Sequence, residues 1–263
     1  MPELPDVEVF RRYIDGTSLH QQIDDVIVHT DEVLRDSTRD TLAAALRNTS
    51  FTATGRHGKY LFIRRGDGKP VVVMHFGMSG WLTYFQDRED EPEYSRVLFS
   101  FHTGWHLSYC SKRKLGWVGL SDTVAGFIEA QGLGPDALSI SREEFVDRFI
   151  DRRAMIKTAL MDQEFIAGVG NIYSDEILFQ AGIHPTIRAS DVSRKRLGEV
   201  YDIMQEVLET AIEAGADPGD FPDSWIIPHR RKGGTCPACG TALEHLTVGG
   251  RSAYVCPRDQ PPP

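Results

Sequence analysis

No stretch of this sequence is apolar for long enough to span a bilayer, and no hydrophobic segment follows the first residues. Neither a membrane helix nor a secretory leader is expected, so the expected location is the cytoplasm. Positive charge is in deficit: 29 Lys and Arg face 38 Asp and Glu, a net charge of −9. That speaks against a uniformly basic nucleic-acid surface. It does not exclude a single basic groove, because distribution matters more than the sum. Basic residues gather at Arg56-His57-Gly58-Lys59, Lys112-Arg113-Lys114, Arg152-Arg153 and Arg230-Arg231-Lys232. Cysteine is scarce, with four residues in 263, of which Cys236, Cys239 and Cys256 crowd the C-terminus. So few thiols, so placed, suit a metal site and not a disulfide framework. There is no internal repeat, no phosphate-binding Walker loop and no G-x-G-x-x-G after a strand, so a nucleotide cofactor is not expected.

What is present divides by pattern. Val7, Phe10 and Ile14 fall at helical spacing over residues 5–15, with Gly16 as the expected stop. Ile23–Val28 reads as a strand and Thr41–Leu46 as a short helix. From Phe51 to about Leu120, short apolar runs separated by Gly/Asp turns predict a sandwich or barrel: 60–63, 71–74, 81–85, 97–101 and 105–109. Gly132-Leu133-Gly134-Pro135 reads as a linker. Helices are then expected over 143–150, 155–161, 171–180 and 193–214, the last capped by Ser193 and Gly215. Asp217–Pro222 is a second boundary. The tail, His229–Gln260, is too short to bury much core and needs a staple.

Several stretches carry possible chemistry. Met1 is followed by Pro2, a small residue that permits Met1 removal and leaves a secondary amine with a pKa of roughly 8. Such an amine can form a Schiff base, and Glu3 beside it could move protons. Taken alone, the proline simply starts a helix. Gly168-Val169-Gly170-Asn171 joins a glycine turn to a helix start, where backbone N–H groups and the Asn171 amide suit an anion. Lys157, one helix earlier, is expected to face the same phosphate. In His75-Phe76-Gly77-Met78-Ser79-Gly80 the glycines mark a bend that displays Met78. An exposed methionine there could wedge into a base stack, with Arg113 filling the space of an extruded base. Cys236-Pro237-Ala238-Cys239, sixteen residues, then Cys256-Pro257-Arg258-Asp259 has zinc-ribbon spacing. The fourth ligand is Asp259 or His245, or the hairpin is metal-free. Arg251, after Gly249-Gly250, is suited to reach a phosphate.

These pieces fall in one order: Pro-Glu-Leu-Pro, Arg-His-Gly-Lys-Tyr-Leu, His-Phe-Gly-Met-Ser-Gly, Gly-Val-Gly-Asn-Ile-Tyr-Ser-Asp-Glu, then a cysteine hairpin with Gly-Arg-Ser. Together they resemble the formamidopyrimidine-DNA glycosylase / endonuclease VIII family, and the start resembles the formamidopyrimidine branch. The resemblance implies an α+β multidomain chain. Its parts would be a catalytic β-sandwich with a leading helix over 1–131, a helix–two-turn–helix domain over 132–222, and a zinc-finger-like hairpin over 229–260. It implies a monomer that binds double-stranded damaged DNA between the first two parts and carries one structural zinc ion. The implied activity is bifunctional, removing an oxidised base and then cutting the strand by β,δ-elimination. Carried across, Pro2 attacks C1′ and Glu3 gives and takes the proton. Lys59 contacts phosphate and lesion. Asn171 and Arg251 clamp the flanking phosphates. Met78, Arg113 and Leu115 fill the gap. The rival expectation is a catalytically weak protein that only binds damaged or abasic DNA.

The sequence departs from the family pattern at several places. Asp259 replaces a cysteine, Asp6 a glutamate, Leu115 an aromatic wedge, and Thr235 the proline before the first finger cysteine. Phe221 also leads to His229 in only a few residues, where the family carries a longer segment that closes over 8-oxoguanine. That predicts weak 8-oxoguanine excision, with ring-opened purines, hydantoins or oxidised pyrimidines as substrates.

Overall fold

Alternating burial along the strands builds the first half. The computed structural model describes residues 2–66 and 68–263; Met1 lies outside the described residues. Helix α1 (Leu4–Thr17) is followed by strands β1 (Ile23–Val28) and β2 (Leu34–Arg35), helix α2 (Arg39–Leu46), then β3 (Phe51–His57), β4 (Tyr60–Arg65), β5 (Val71–His75), β6 (Gly80–Phe85), β7 (Ser95–Phe101), β8 (His106–Ser111) and β9 (Trp117–Ser121). They form a four-stranded sheet in the order β1-β7-β8-β6 and a five-stranded sheet in the order β2-β9-β5-β4-β3. Leu61, Ile63, Val72 and Met74 of one sheet share a core with Val97, Phe99, Leu107 and Tyr109 of the other, joined by Val7 and Ile14 of α1. Each such side chain contributes about 1.5–3 kcal/mol on burial.

The unbroken apolar run of β5 reflects its central place, paired with β4 on one side and β9 on the other. Its sheet is covered on the far face as well. Helix α3 (Val124–Ala130), which the sequence reading did not single out, sets Phe127 edge-on to Phe62 at 5.5 Å. Gly16 does not stop α1. Nothing crowds it, the helix runs on to Thr17, and the left-handed turn falls on His20 (φ 64).

Helices α4 (Arg142–Ile150), α5 (Ile156–Met161), α6 (Asn171–Gln180) and α7 (Arg194–Glu213) make the second half, and β10 (Glu244–Val248) pairs with β11 (Arg251–Val255) near the C-terminus. The α7 stripe Leu197, Val200, Met204, Leu208 and Ala211 is buried at helical spacing against Phe145 and Phe149 of α4, which stack at 4.2 Å. The Ser193 hydroxyl accepts the Arg196 N–H at 3.3 Å at the start of α7, and Gly215 (φ 64) follows its end. The β10–β11 turn is Gly249-Gly250, both left-handed at φ 55 and 74, as a tight hairpin turn demands. Contacts divide the chain into two compact units. One holds Pro2 and 6–132; the other holds Glu3–Pro5 with 133–263.

Candidate functional site

The helix start predicted at Asn171 is an anion site, and its anion is the protein's own Glu3. Glu3 has no exposed surface. Its Oε2 accepts the N–H of Gly170 at 2.7 Å and of Tyr173 at 3.3 Å, and its Oε1 accepts that of Ile172 at 2.8 Å. The reason is local: the N-cap of α6 is Gly170, which has no side chain to satisfy the free N–H groups of the first turn. A carboxylate from 167 residues earlier does so instead, at the positive end of the helix dipole. The Leu4 N–H donates to the Gly168 carbonyl at 3.1 Å, and Gly168 (φ 122) leaves room for the Leu4 side chain, which a Cβ would strike. Gln163 braces the same turn, accepting from Gly168 at 3.0 Å and donating to the Val169 carbonyl at 2.8 Å.

Lys157 does not face a phosphate. It has no exposed surface, and its ammonium pairs with Asp175 and donates to the Asn171 carbonyl at 3.3 Å. Burial pushes its pKa down from the usual lysine value, against the pull of Asp175. It bonds α5 to α6, and the expectation of a DNA contact is corrected. Asn171 itself is half-buried, and its Oδ1 is buried without a hydrogen-bond partner.

In the first unit, Lys59 sits at the two-residue tip of the β3–β4 hairpin after Gly58 (φ 54), only 8% exposed. Met78 and Leu115, 48% and 53% exposed, stand on neighbouring loops. Gly77 (φ 59) brings those loops together, because a Cβ there would run into the backbone of Leu115 and Gly116. The Arg113 guanidinium lies against the Met78 sulfur. Met78, Arg113 and Leu115 therefore form one apolar and cationic tip.

The three cysteines converge with Asp259. Its Oδ2 lies 3.1 Å from the Cys236 sulfur and 3.2 Å from that of Cys256, and the Cys239 and Cys256 sulfurs are 3.5 Å apart. All four ligand atoms fall within 4.8 Å of one another. A tetrahedral zinc with bonds of about 2.0–2.3 Å needs edges of roughly 3.3–3.8 Å, so these residues fit the ion. His245 is not part of the group; on β10 its ring packs against Tyr254 at 5.0 Å. Arg251 opens β11, exposed.

Family models match along the chain. The formamidopyrimidine-DNA glycosylase N-terminal domain matches residues 1–118, the H2TH domain of the same enzyme 132–221, and a zinc finger found in FPG and IleRS 233–262. The chain belongs to the formamidopyrimidine-DNA glycosylase family. It is 32% identical over 274 residues to the formamidopyrimidine-DNA glycosylase of Pelotomaculum thermopropionicum, covering 99% of both chains. Against the Arabidopsis thaliana enzyme identity is 32% over 273 residues, covering 97% of this chain and 70% of that one. The structure of the Lactococcus lactis enzyme non-covalently bound to DNA containing an AP site superposes with a TM-score of 0.88 at 25% identity, covering 99% of this chain and 100% of that one. A MutM complex with DNA containing carbocyclic 8-oxo-G gives 0.87 at 25% identity, with the same coverage. This family member is a base-excision-repair glycosylase of damaged DNA, with the AP lyase activity characteristic of the family and one structural zinc. Among the described residues no helix is long and apolar enough to cross a membrane.

The sequence reading missed two buried acidic residues beside Asn171 and the part-buried Arg230. Asp175 and Glu176 are 2% and 0% exposed. Arg230 donates to Asp175 at 2.7 and 2.9 Å. Glu176 accepts the N–H of Ile226 at 3.3 Å and of Ile227 at 2.9 Å. Two of these lay inside the quoted Ser-Asp-Glu stretch and one in a basic cluster. Nothing local distinguished them from solvated charges.

Proposed function

We propose that Pro2, freed by removal of Met1, is the nucleophile on C1′ of a flipped, oxidised nucleotide. Its nitrogen forms a bond to C1′ as the glycosidic bond breaks, and the base leaves with a proton. The C1′–O4′ bond then opens, O4′ taking a proton from Glu3, to give an iminium at C1′; loss of a C2′ proton expels the 3′ phosphate, and a second elimination expels the 5′ phosphate. Glu3 holds and returns the proton. The observation that carries this reading is the fixing of the Glu3 carboxylate, next to Pro2 in the chain, by three backbone N–H groups. A proton carrier so held cannot swing away from the reacting sugar. Lys59 contacts phosphate and lesion, while Asn171 and Arg251 hold the phosphates beside it. Met78, Arg113 and Leu115 occupy the gap left by the extruded base, which offsets part of the few kcal/mol that flipping costs. Asp259 is the fourth zinc ligand. The division of labour is a catalytic part over 1–131, a DNA-gripping helical part over 132–222 and a finger over 229–260. The enzyme works as a monomer in the cytoplasm, on the chromosome.

Ring-opened purines, hydantoins and oxidised pyrimidines are the better substrates, and 8-oxoguanine the poorer one. Supporting this, the short link after Phe221 is packed: Phe221 and Trp225 are buried with rings 4.9 Å apart, and the next two N–H groups are taken by Glu176. Borohydride reduction tests the chemistry. A covalent adduct with abasic DNA should form, and Pro2→Gly or an uncleaved N-terminal extension should abolish it. An adduct that survives the extension moves the nucleophile to a lysine; no adduct at all leaves a DNA-binding protein without catalysis. Excision of 8-oxoguanine opposite cytosine as fast as formamidopyrimidine would refute the lesion preference.

A further inference from the structure

Asp175 is buried, yet four donors from three other segments converge on its carboxylate. Oδ1 takes the ammonium of Lys157 from α5. Oδ2 takes Nε and Nη2 of Arg230 at 2.9 and 2.7 Å, and the N–H of Tyr254 on β11 at 3.2 Å. The same two cations have a second partner in common. Lys157 Nζ and Arg230 Nη2 each donate to the Asn171 carbonyl at 3.3 Å, one turn of α6 before Asp175. The Arg230 guanidinium also lies over the Tyr254 ring, 5.5 Å from its centroid. The first turn of α6 and the finger strand are thus bonded through one charged joint.

We propose that Asp175, acting with Arg230, is a positioning residue that sets Asn171 and Arg251 as a single phosphate clamp. The inference rests on the reading of those two residues as phosphate contacts. Both cations pin the backbone of Asn171, so its amide projects from a fixed point. Arg251 stands three residues from Tyr254 on the same strand, about 10 Å away at the rise of a β-strand. Tyr254 is fixed to Asp175, and Cys256, two residues further, belongs to the metal cluster. The strand that carries Arg251 is therefore held at two places, one of them on the helix that carries Asn171. Loss of the joint leaves each clamp residue intact but frees the distance between them, which two phosphates on one backbone require to be constant.

The test is the affinity for a duplex holding a stable abasic-site analogue, measured against salt concentration. Each phosphate contact contributes about −0.9 to the slope of log affinity against log salt. Arg230→Gln breaks the joint and keeps the Lys157–Asp175 pair. It should weaken binding about tenfold and flatten the slope by roughly one contact. Asp175→Asn combined with Lys157→Met, so that no lysine stays buried without a counter-ion, removes no exposed cation and should give the same loss. In an Arg251→Ala background either change should add less than about twofold, because residues acting as one unit are not additive. Zinc content should stay at one equivalent throughout. A full additive loss in that background, or an unchanged salt slope, overturns the inference while the clamp reading stands. Unchanged binding by Asn171→Ala and Arg251→Ala alone overturns both.

Discussion

Replacing Glu3 by glutamine tests the helix-start site without altering its shape. The carboxylate offers two oxygens to three N–H groups, Oε2 to Gly170 and Tyr173 and Oε1 to Ile172. An amide offers one oxygen. In its best orientation it keeps the two bonds of Oε2 as neutral ones and turns an NH₂ toward the Ile172 N–H. Charge-assisted bonds are worth about 1.5–3 kcal/mol and neutral ones about 1. One bond lost outright and two weakened cost about 3–4 kcal/mol, and the lost charge at the helix N-terminus adds about 0.5 kcal/mol. At roughly 2–4 °C per kcal/mol, melting should fall by about 7–18 °C. Amide exchange at Gly170, Ile172 and Tyr173 should speed up more than at the far end of α6. Base excision should be lost as well, whereas Pro2→Gly should remove excision and leave the melting temperature in place. A Glu3→Gln protein that melts like the wild type, with unchanged exchange at these three amides, refutes the argument.

Three further outcomes follow from the geometry. Burial raises the Glu176 carboxyl from 4.5 to about 7. The folded protein thus keeps a proton that the unfolded chain releases, so this contribution to stability is complete below pH 4.5 and is lost as pH rises toward 7. It amounts to about 3 kcal/mol at most. Glu176→Gln should flatten denaturant midpoints between pH 5 and 8, and an undiminished slope counts against it. Gly77→Ala forces a side chain into left-handed backbone and into Leu115–Gly116. It should cost about 1–3 kcal/mol or more and weaken abasic-DNA binding by shifting Met78; an unaltered melt and affinity would contradict the packing. In a chelator assay with a colorimetric dye, Asp259→Ala should release zinc faster and Asp259→Cys more slowly, since thiolate suits a structural zinc better. Identical release from all three proteins removes Asp259 from the ligand set.

Much of the fold was legible because its signals are local. The run Val71–Met74 announced a strand, and the Ser193 and Gly215 caps set the bounds of α7 within a residue. Cysteine spacing gathered three ligands, and only folding could choose Asp259 over His245. The failures at the site are long-range. Lys157 reads as a surface cation until Asp175 arrives from the next helix. The α6 start reads as an open anion site because its occupant lies 167 residues away. Helix α3 is short and carries one buried aromatic residue, too little for a periodic signal.

The capping of α6 by Glu3 has a consequence in time. The chain leaves the ribosome from its N-terminus at roughly 5–20 residues per second. The N–H groups that fix Glu3 are made 167 to 170 residues later, an interval of roughly ten to thirty seconds. Throughout that interval Glu3 has no partner in α6. The fixing of Glu3 is thereby ordered by synthesis itself: a nascent chain carries Glu3 from the start but holds its carboxylate only once the helical half has been made.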